Sequence, residues 1–448
     1  MKKMFLTAAC LLAAGMLRGQ SAEPATVPYD GPWSLSRCID HALDHNLTVQ
    51  RSELTVTQRE IDLSTAEARR LPSLSGNASQ NFSFGRGLTA DNTYANTNTT
   101  STGFSLGADV PLFSGFQIKN NIVMSRLNLA AATVDLEKAR DDIRVAVTQA
   151  YVQVLYDKEI LDVARRQVEI DSLQVIRLEE MARLGKASGA EVAARKATLG
   201  QSRATAVQAA GTLSLALLDL TQLLELPSPE GFDVVVPPAE SLEPGLLPLP
   251  EDIYAEAVSV KPLVEAEKIR LDYARSQIDL AKGAFLPSLS LSGGIGSNYY
   301  TSSGRGSAAF ADQMKNNFSQ YLGLSLSVPI FTRFSNRNNL RTAQLSFKTQ
   351  ELQLETAKKT LFKEIQQAYY NAVNAQEKFR SSLAAEQSAE EAFRLTSSKY
   401  ELGQATGTEF NEAKARYLEA ASNCARARYE QLYQTRLLDF YRGRPLAF

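Results

Sequence analysis

The sequence contains little of what most catalytic and metal sites require. Among its 448 residues only two are histidine, three are cysteine and one is tryptophan. The histidines, His41 and His45, lie one helical turn apart with Cys38 and Asp40 nearby. That spacing can hold zinc, but we interpret it as part of a solvated helix. There is no phosphate-binding glycine loop and no nucleophilic serine turn with a plausible histidine partner. We therefore expect no enzyme, no cofactor and no bound metal.

An excess of one charge and long apolar runs are missing as well. Charged residues make up 22% of the chain and the net charge is −1, which argues against a nucleic-acid-binding protein. Residues 1–20 are predicted to be a signal peptide, because Lys2 and Lys3 precede an apolar run too short to span a bilayer. No later segment has ~18 consecutive apolar residues, so we expect no transmembrane helix.

Glycine and proline are absent from two long stretches, residues 116–184 and 334–402, of 69 residues each. Both are rich in good helix formers, so each is predicted to be one helix about 100 Å long. In the first, apolar positions step by four and three, interrupted by Asp157 and Asp171. This seam is typical of a coiled coil and needs partner helices. Shorter helical runs, about half as long, are predicted at 34–71, 190–226, 251–282 and 408–442.

The chain also repeats itself. Leu-Pro-Ser-Leu-Ser occurs at Leu71–Ser75 and at Leu286–Ser290, and from VPLF at 110–113 and VPIF at 328–331 onward the halves match at an offset of 218 residues. Such a fixed offset indicates a duplicated unit. We therefore divide the mature chain into a first repeat, 21–226, a proline-rich linker, 227–250, and a second repeat, 251–448.

Polar and apolar residues alternate around each Leu-Pro-Ser-Leu-Ser motif, which predicts strands at about 72–85, 102–113, 287–300 and 319–331. One face of these strands is apolar and the other is rich in Ser, Gly and Asn. Four strands cannot close a barrel, because the smallest barrels have about eight, and open edges aggregate. Three chains would supply twelve strands. The prediction is a mainly α protein whose trimer forms a 12-stranded membrane β-barrel continued by a 12-helix coiled-coil α-barrel tunnel.

The order of these elements, the duplicated hairpins, the VPLF and VPIF motifs and the opening SLSRCIDHALDHN resemble the TolC family of outer-membrane efflux proteins. The resemblance implies a homotrimeric channel in the outer membrane with a large periplasmic portion. Its implied partners are a periplasmic adaptor (membrane fusion) protein, an inner-membrane transporter of the RND, ABC or MFS type, and outer-membrane lipid, but no nucleic acid. Efflux and type I secretion both stay open. The alternative is an extended periplasmic coiled-coil tethering protein without a pore.

The resemblance also implies where an adaptor docks. In TolC-like proteins the two turns between helices form a periplasmic tip that meets the adaptor, and the matching segments here are RLGKASGAEV and YELGQATGTEF. Their glycines, serine and threonine are also what such turns require. We assign docking to Leu184, Gly185, Ser188, Gly189, Leu402, Gly403, Thr406 and Gly407.

A gate is implied on the last turns of a long helix, where family members carry inward polar or charged side chains, often an acidic ring. The positions expected to be acidic are Arg394 and Ser397 here, and the nearest acids lie one to two turns higher. We take Glu386, Glu390 and Arg394 as gate candidates. Either the ring has moved along the helix or these are ordinary solvated charges.

Overall fold

The computed structural model describes residues 31–88, 92–237, 247–303 and 306–446. The predicted signal peptide and part of the proline-rich linker lie outside these ranges. Within them the elements are, in chain order, α1 Leu35–His45, α2 Leu47–Ala68, β1 Ser73–Ser83, β2 Arg86–Leu88, β3 Tyr94–Asn96, β4 Thr99–Ser114, α3 Gln117–Arg183, α4 Gly189–Leu223, α5 Pro250–Val260, α6 Pro262–Gly283, β5 Ser288–Ser302, α7 Phe310–Asn316, β6 Ser319–Ser327, α8 Ser335–Glu401 and α9 Gly407–Tyr441.

The two stretches without glycine or proline form the uninterrupted helices α3 and α8, each of 67 residues and therefore about 100 Å long. Helix α3 lies inside the helical layer. In the half nearer the strands it packs between α2 and α6, and in the half nearer the turns it packs between α4 and α9. Helix α8 packs on α6 and α9 and forms one edge of the layer. Most of the α3 seam is buried, including Asp157 and Asp171.

The first shorter run, predicted as one helix over 34–71, is two helices that meet at Asn46. The Asn46 side chain accepts a hydrogen bond from the Thr48 backbone N–H at 2.9 Å and donates one to the Leu223 carbonyl at 3.0 Å. A capping side chain therefore starts α2 and ties the break to the end of α4. The run predicted over 251–282 breaks at Lys261, where Pro262 disfavours a helical conformation for the preceding residue.

A described part of the linker packs near the middle of α3. Trp33 and Val234 form a parallel bridge, and the Tyr151 hydroxyl lies 2.7 Å from the Val235 carbonyl oxygen and 3.1 Å from that of Trp33. Lys158 donates to the Asp233 carboxylate at 2.7 Å. These polar contacts surround an apolar cluster and hold the linker at mid-height of the long helix.

The strands form one antiparallel sheet in the order β1-β4-β5-β6. Its register brings apolar side chains of different strands to one face, since Leu106 lies opposite Gly76 and Ile295, and Leu291 lies opposite Leu324. Serine, glycine and asparagine make up most of the other face. Among the described residues β1 and β6 each have one unpaired edge, so the sheet of a single chain is open on both sides.

Proline and loop residues shift the strand limits from those predicted. Strand β6 ends at Ser327 rather than near 331, because Pro329 has no N–H for the ladder. Strand β4 tolerates Pro111, where the register shifts. The polar loop before β4 contains the short β2–β3 hairpin.

Helix α7 lies in the loop between β5 and β6. Its side chains bond to the backbone of the C-terminal part of β5, which β6 does not reach. Beyond the last residue paired with β6, the Gln313 side chain bonds to both the N–H and the carbonyl of Tyr300 at 2.9 Å, and Asn317 donates to the Asn298 carbonyl at 2.7 Å. Side-chain amides therefore take the place of a neighbouring strand along this edge.

Helix α4 is the most apolar of the long helices that the structure describes. By length and composition alone α4 meets the standard of a membrane-spanning helix among the described residues. A search for consecutive apolar residues misses it, because Thr, Ser and Gln interrupt the run. In the single chain much of its apolar surface is uncovered: Val207 is 73% exposed and Leu215 is 64% exposed.

Candidate functional site

The two turns between helices have the same backbone geometry. Gly185 and Gly403 have φ of 70° and 73°, a conformation that favours glycine. In the first turn the Lys186 N–H bonds to the Met181 carbonyl at 2.8 Å, and in the second the Gln404 N–H bonds to the Lys399 carbonyl at 2.8 Å. These bonds satisfy helix-terminal carbonyls. A side chain at Gly185 or Gly403 would meet no other atom, so backbone conformation alone explains these glycines.

Each turn continues into the next helix through a capping box. Ser188 and Thr406 accept bonds from the backbone N–H groups of Glu191 and Glu409, and each glutamate carboxylate accepts a bond in return from the capping residue's N–H. Hydrogen bonds from the backbone and hydroxyl of Ser188 lower the pKa of Glu191, and those from Thr406 lower the pKa of Glu409. Of the residues assigned to docking, Ser188 and Thr406 thus have a structural role.

Two leucines of the docking set are not required by this geometry. Leu184 is 60% exposed and Leu402 is 74% exposed at the C-terminal ends of α3 and α8. The turn bonds use only their backbone atoms. Exposed apolar side chains at the end of a 100 Å rod are available to a partner.

A groove of about 720 Å³ lies between the two turns, and Arg195 forms part of its wall. The Arg195 guanidinium donates to the Asn411 side chain and to the Gly407 carbonyl at 3.3 Å. A side chain at Gly407 would lie 2.7 Å from this guanidinium, whereas Gly189 has open space. Two turns that are alike in sequence therefore differ in what they contact, and Arg195, which the sequence analysis missed, joins one hairpin to the other.

A buried ion pair joins the same hairpins further from the tip. Lys414 Nζ lies 2.5 Å from the Asp171 carboxylate, and the two side chains are 5% and 3% exposed. Ser202 donates to the other carboxylate oxygen at 2.5 Å. The pair links α3, α4 and α9. Asp171 was visible in the sequence as an interruption of the seam, but its partner lies 243 residues away and had no sequence signature.

The gate candidates lie together on the same part of α8. Glu390 and Arg394 both line a groove of about 490 Å³ between α3, α8 and α9. The Arg394 guanidinium forms two bonds to Glu391, at 2.6 and 2.8 Å, which makes Glu391 its partner. Burial and a hydrogen bond to Glu386 raise the pKa of Cys424 on α9 to about 12. The assignment of these residues to a gate stays a prediction.

The histidine pair lies near the middle of the rod. The His41 ring stacks on His45 at 4.1 Å and meets the Trp33 ring edge at 5.2 Å. Burial lowers the pKa of His41. In the part of the chain that the structure describes, no group of three or more His, Cys, Asp or Glu residues has the arrangement of a metal site.

Comparison with known proteins gives consistent matches. The family model described as "Outer membrane efflux protein" matches residues 38–225 and 253–444. The outer membrane protein TolC of Vibrio cholerae serotype O1 is 30% identical over 168 residues, 37% of this chain and 37% of its own length. The outer membrane efflux protein BepC of Brucella suis is 22% identical over 388 residues, 86% of this chain and 76% of its own.

The solved structures agree on the fold. A membrane protein from Pseudomonas aeruginosa superposes with a TM-score of 0.75 at 20% identity, covering 91% of both chains. The structure is mainly helical, as these channels are. The family is one of channel proteins that act in efflux, and its members are located in the outer membrane. The chain, matched over most of its length, belongs to the outer membrane efflux protein family and is an outer-membrane protein.

Proposed function

We propose that three copies of this chain form one channel that carries substrates across the periplasm and the outer membrane. The observation that carries the proposal is that both the sheet and the helical layer of a single chain are open at two opposite edges. On one side lie β1, α2 and α4, and on the other lie β6 and α8. Unpaired strands of this kind cannot stay exposed in lipid, where every backbone polar group needs a partner. When the β6 edge of one chain pairs with the β1 edge of the next around a closed ring, no strand edge remains unpaired.

Exposed apolar side chains line both helical edges at similar heights. Leu345 and Leu352 on α8 are 66% and 70% exposed, and Ile61 and Leu54 on α2 are 55% and 70% exposed. At 1.5 Å per residue, the α8 pair lies about 15 and 26 Å from the strand end of its helix, and the α2 pair lies about 11 and 21 Å from its own. These side chains fit together when α8 of one copy packs beside α2 of the next.

The two faces of the sheet support a membrane barrel. Leu74, Leu106, Leu291 and Leu324 lie on the same face, which we assign to lipid. The opposite face carries mainly Ser, Gly and Asn and would line a water-filled lumen. The helical layers would continue this lumen as a tunnel through the periplasm.

The tip would meet a periplasmic adaptor, which links the channel to an inner-membrane transporter of the RND, ABC or MFS type. Leu184 and Leu402 are exposed there, and the groove beside them combines apolar surface with Lys186 and Arg195. We assign docking to this surface and gating to Glu386, Glu390 and Arg394. The sequence has no nucleotide-binding loop, so the energy for transport would come from the transporter. Whether the channel serves efflux or type I secretion depends on which transporter it joins.

The mass of the purified protein tests the assembly. The mature chain in mild detergent, measured by light scattering with the detergent mass subtracted, is expected to give a protein mass near three chains. A monomer that stays soluble without detergent would overturn the barrel and favour the tethering protein, because four strands alone cannot hide their edges.

Cross-linking tests the tip. A photoreactive amino acid in place of Leu402 is expected to cross-link in cells to a protein that mass spectrometry identifies as an adaptor. The matched control is the same amino acid in place of Leu249, which is 58% exposed but lies near mid-height. An adaptor cross-link from position 249 and none from position 402 would move docking away from the tip.

A further inference from the structure

The wall of the four-stranded sheet carries a single charge. The sequences of β1, β4, β5 and β6 contain no Lys, Arg or Glu, and Asp109 on β4 is their one acidic residue. Every other polar side chain of these strands is neutral. In a lumen lined by Ser, Gly and Asn, one carboxylate per chain dominates the electrostatic potential of the wall.

Asp109 lies on the polar face. It is directly opposite Ser73 on β1 and Ser292 on β5, both in the polar rows of their strands. Its chain neighbours Ala108 and Val110 lie on the apolar face, because successive residues of a strand alternate. The side chain is exposed and forms no salt bridge within the described residues. The nearby basic residues Arg69, Arg70 and Arg333 follow or precede the strands and are not part of the wall.

An aromatic ring lies on the same face as this carboxylate, one repeat along the sheet from it. Tyr321 on β6 is opposite Gly294 on β5, and its ring covers that glycine so closely that a side chain there would lie 2.8 Å from the ring. The Tyr321 hydroxyl points toward Gly107, which precedes Asp109 on the same face of β4 by one repeat of about 7 Å. Gly294 and Gly107 leave room for this ring, so the polar face carries a bulky aromatic side chain about one repeat from Asp109.

We propose that Asp109 sets the ion preference of the barrel lumen. The inference rests on the proposed trimeric channel, in which threefold symmetry places three Asp109 carboxylates at one height near the end of the barrel that joins the helices. Rings of acidic side chains favour cations over anions in channels. Close walls of low polarity, such as those formed by Tyr321, concentrate the field of such a ring. The barrel would therefore pass cationic solutes more readily than anionic ones.

Reversal potentials test this assignment. Purified trimers are inserted in planar bilayers under a KCl gradient, and the ratio of K⁺ to Cl⁻ permeability is compared between the wild type, Asp109→Asn and Asp109→Lys. We expect Asp109→Asn to lower the ratio by roughly threefold or more and Asp109→Lys to shift it further toward Cl⁻. The control Asp312→Asn removes an exposed acid on α7, outside the wall, and is expected to leave the ratio unchanged.

The outcomes separate this inference from the channel itself. Unchanged reversal potentials for both Asp109 variants, in trimers that still conduct, would overturn the role of Asp109 and leave the channel standing. An equal change for Asp312→Asn would also overturn it, since any surface acid would then suffice. Wild-type trimers without any conductance would instead overturn the proposed channel and this inference with it.

Discussion

At the scale of single residues, the buried ion pair of Asp171 and Lys414 fixes how α9 packs against α3. Removing two charges from water is costly, and only a close partner and further hydrogen bonds offset that cost. Here Asp171 has both, because Lys414 and Ser202 bond to its two carboxylate oxygens. The pair therefore holds α9 at one position along α3, and loss of one member would leave the other charged and buried.

Lys414→Ala is expected to destabilise the helical half near the turns by about 3–5 kcal/mol, because Asp171 would remain buried without its counter-ion. The measurement is the midpoint of heat-induced loss of helical circular dichroism. Lys196→Ala is the control, since Lys196 occupies the matching position of the first repeat but pairs with Glu179 at the surface, 57% and 46% exposed. That change is expected to cost less than about 1 kcal/mol. Equal shifts for both variants would contradict the role of the buried pair.

At the scale of elements, the capping boxes make the turns sensitive to acid. The pKa values of Glu191 and Glu409 are lowered from 4.5 in the folded chain by hydrogen bonds to their carboxylates. A group with a lowered pKa contributes stability that is complete above its unfolded pKa and is lost as pH falls through the folded value. The turns should therefore be fully capped at neutral pH and loosen below about pH 4.

We expect the amide protection of the two turns, corrected for intrinsic exchange rates, to fall between pH 5 and 3 while that of mid-helix α3 is unchanged. The measurement is hydrogen exchange followed by mass spectrometry. Glu191→Gln keeps an acceptor without a titrating group, so its turn should show little pH dependence while the Glu409 turn still responds. Constant protection of both wild-type turns down to pH 3 would contradict this expectation.

The elements also show how far local patterns predict structure. The long helices follow from 69-residue stretches without a helix breaker, and the strands follow from alternation near two prolines. The break at Asn46 was not predicted, because asparagine is compatible with a helix surface and its capping role depends on the Leu223 carbonyl. Helix α7 was not predicted either, since its place depends on amide contacts to β5.

At the scale of the whole molecule, the two open edges decide the assembly. Leu352→Glu is expected to prevent trimer formation, because a carboxylate would be buried against α2 of the next copy. Light scattering in mild detergent should then give the mass of one chain. Leu173→Glu is the control: Leu173 is 59% exposed, but it lies on α3 between α4 and α9 of the same chain. Trimers of Leu352→Glu, or monomers of Leu173→Glu, would contradict the proposed edge.

The sequence by itself determined the lengths of the long helices, the alternation of the strands and the chemistry of the turns, because each depends on residues within a few positions of one another. It also sufficed to indicate the family, through the order and spacing of these elements. The docking leucines and the gate candidates were assigned from the family resemblance and stay predictions.

Only the tertiary structure decided which distant residues meet. Lys414 reaches Asp171, Arg195 reaches Gly407, and Tyr321 covers Gly294 because of the packing of helices and the register of strands. The placement of Asp109 as the single charge on the polar face likewise needed the register of β4 against both neighbours. Such contacts depend on small rotations and translations of whole elements, which local residue patterns do not encode.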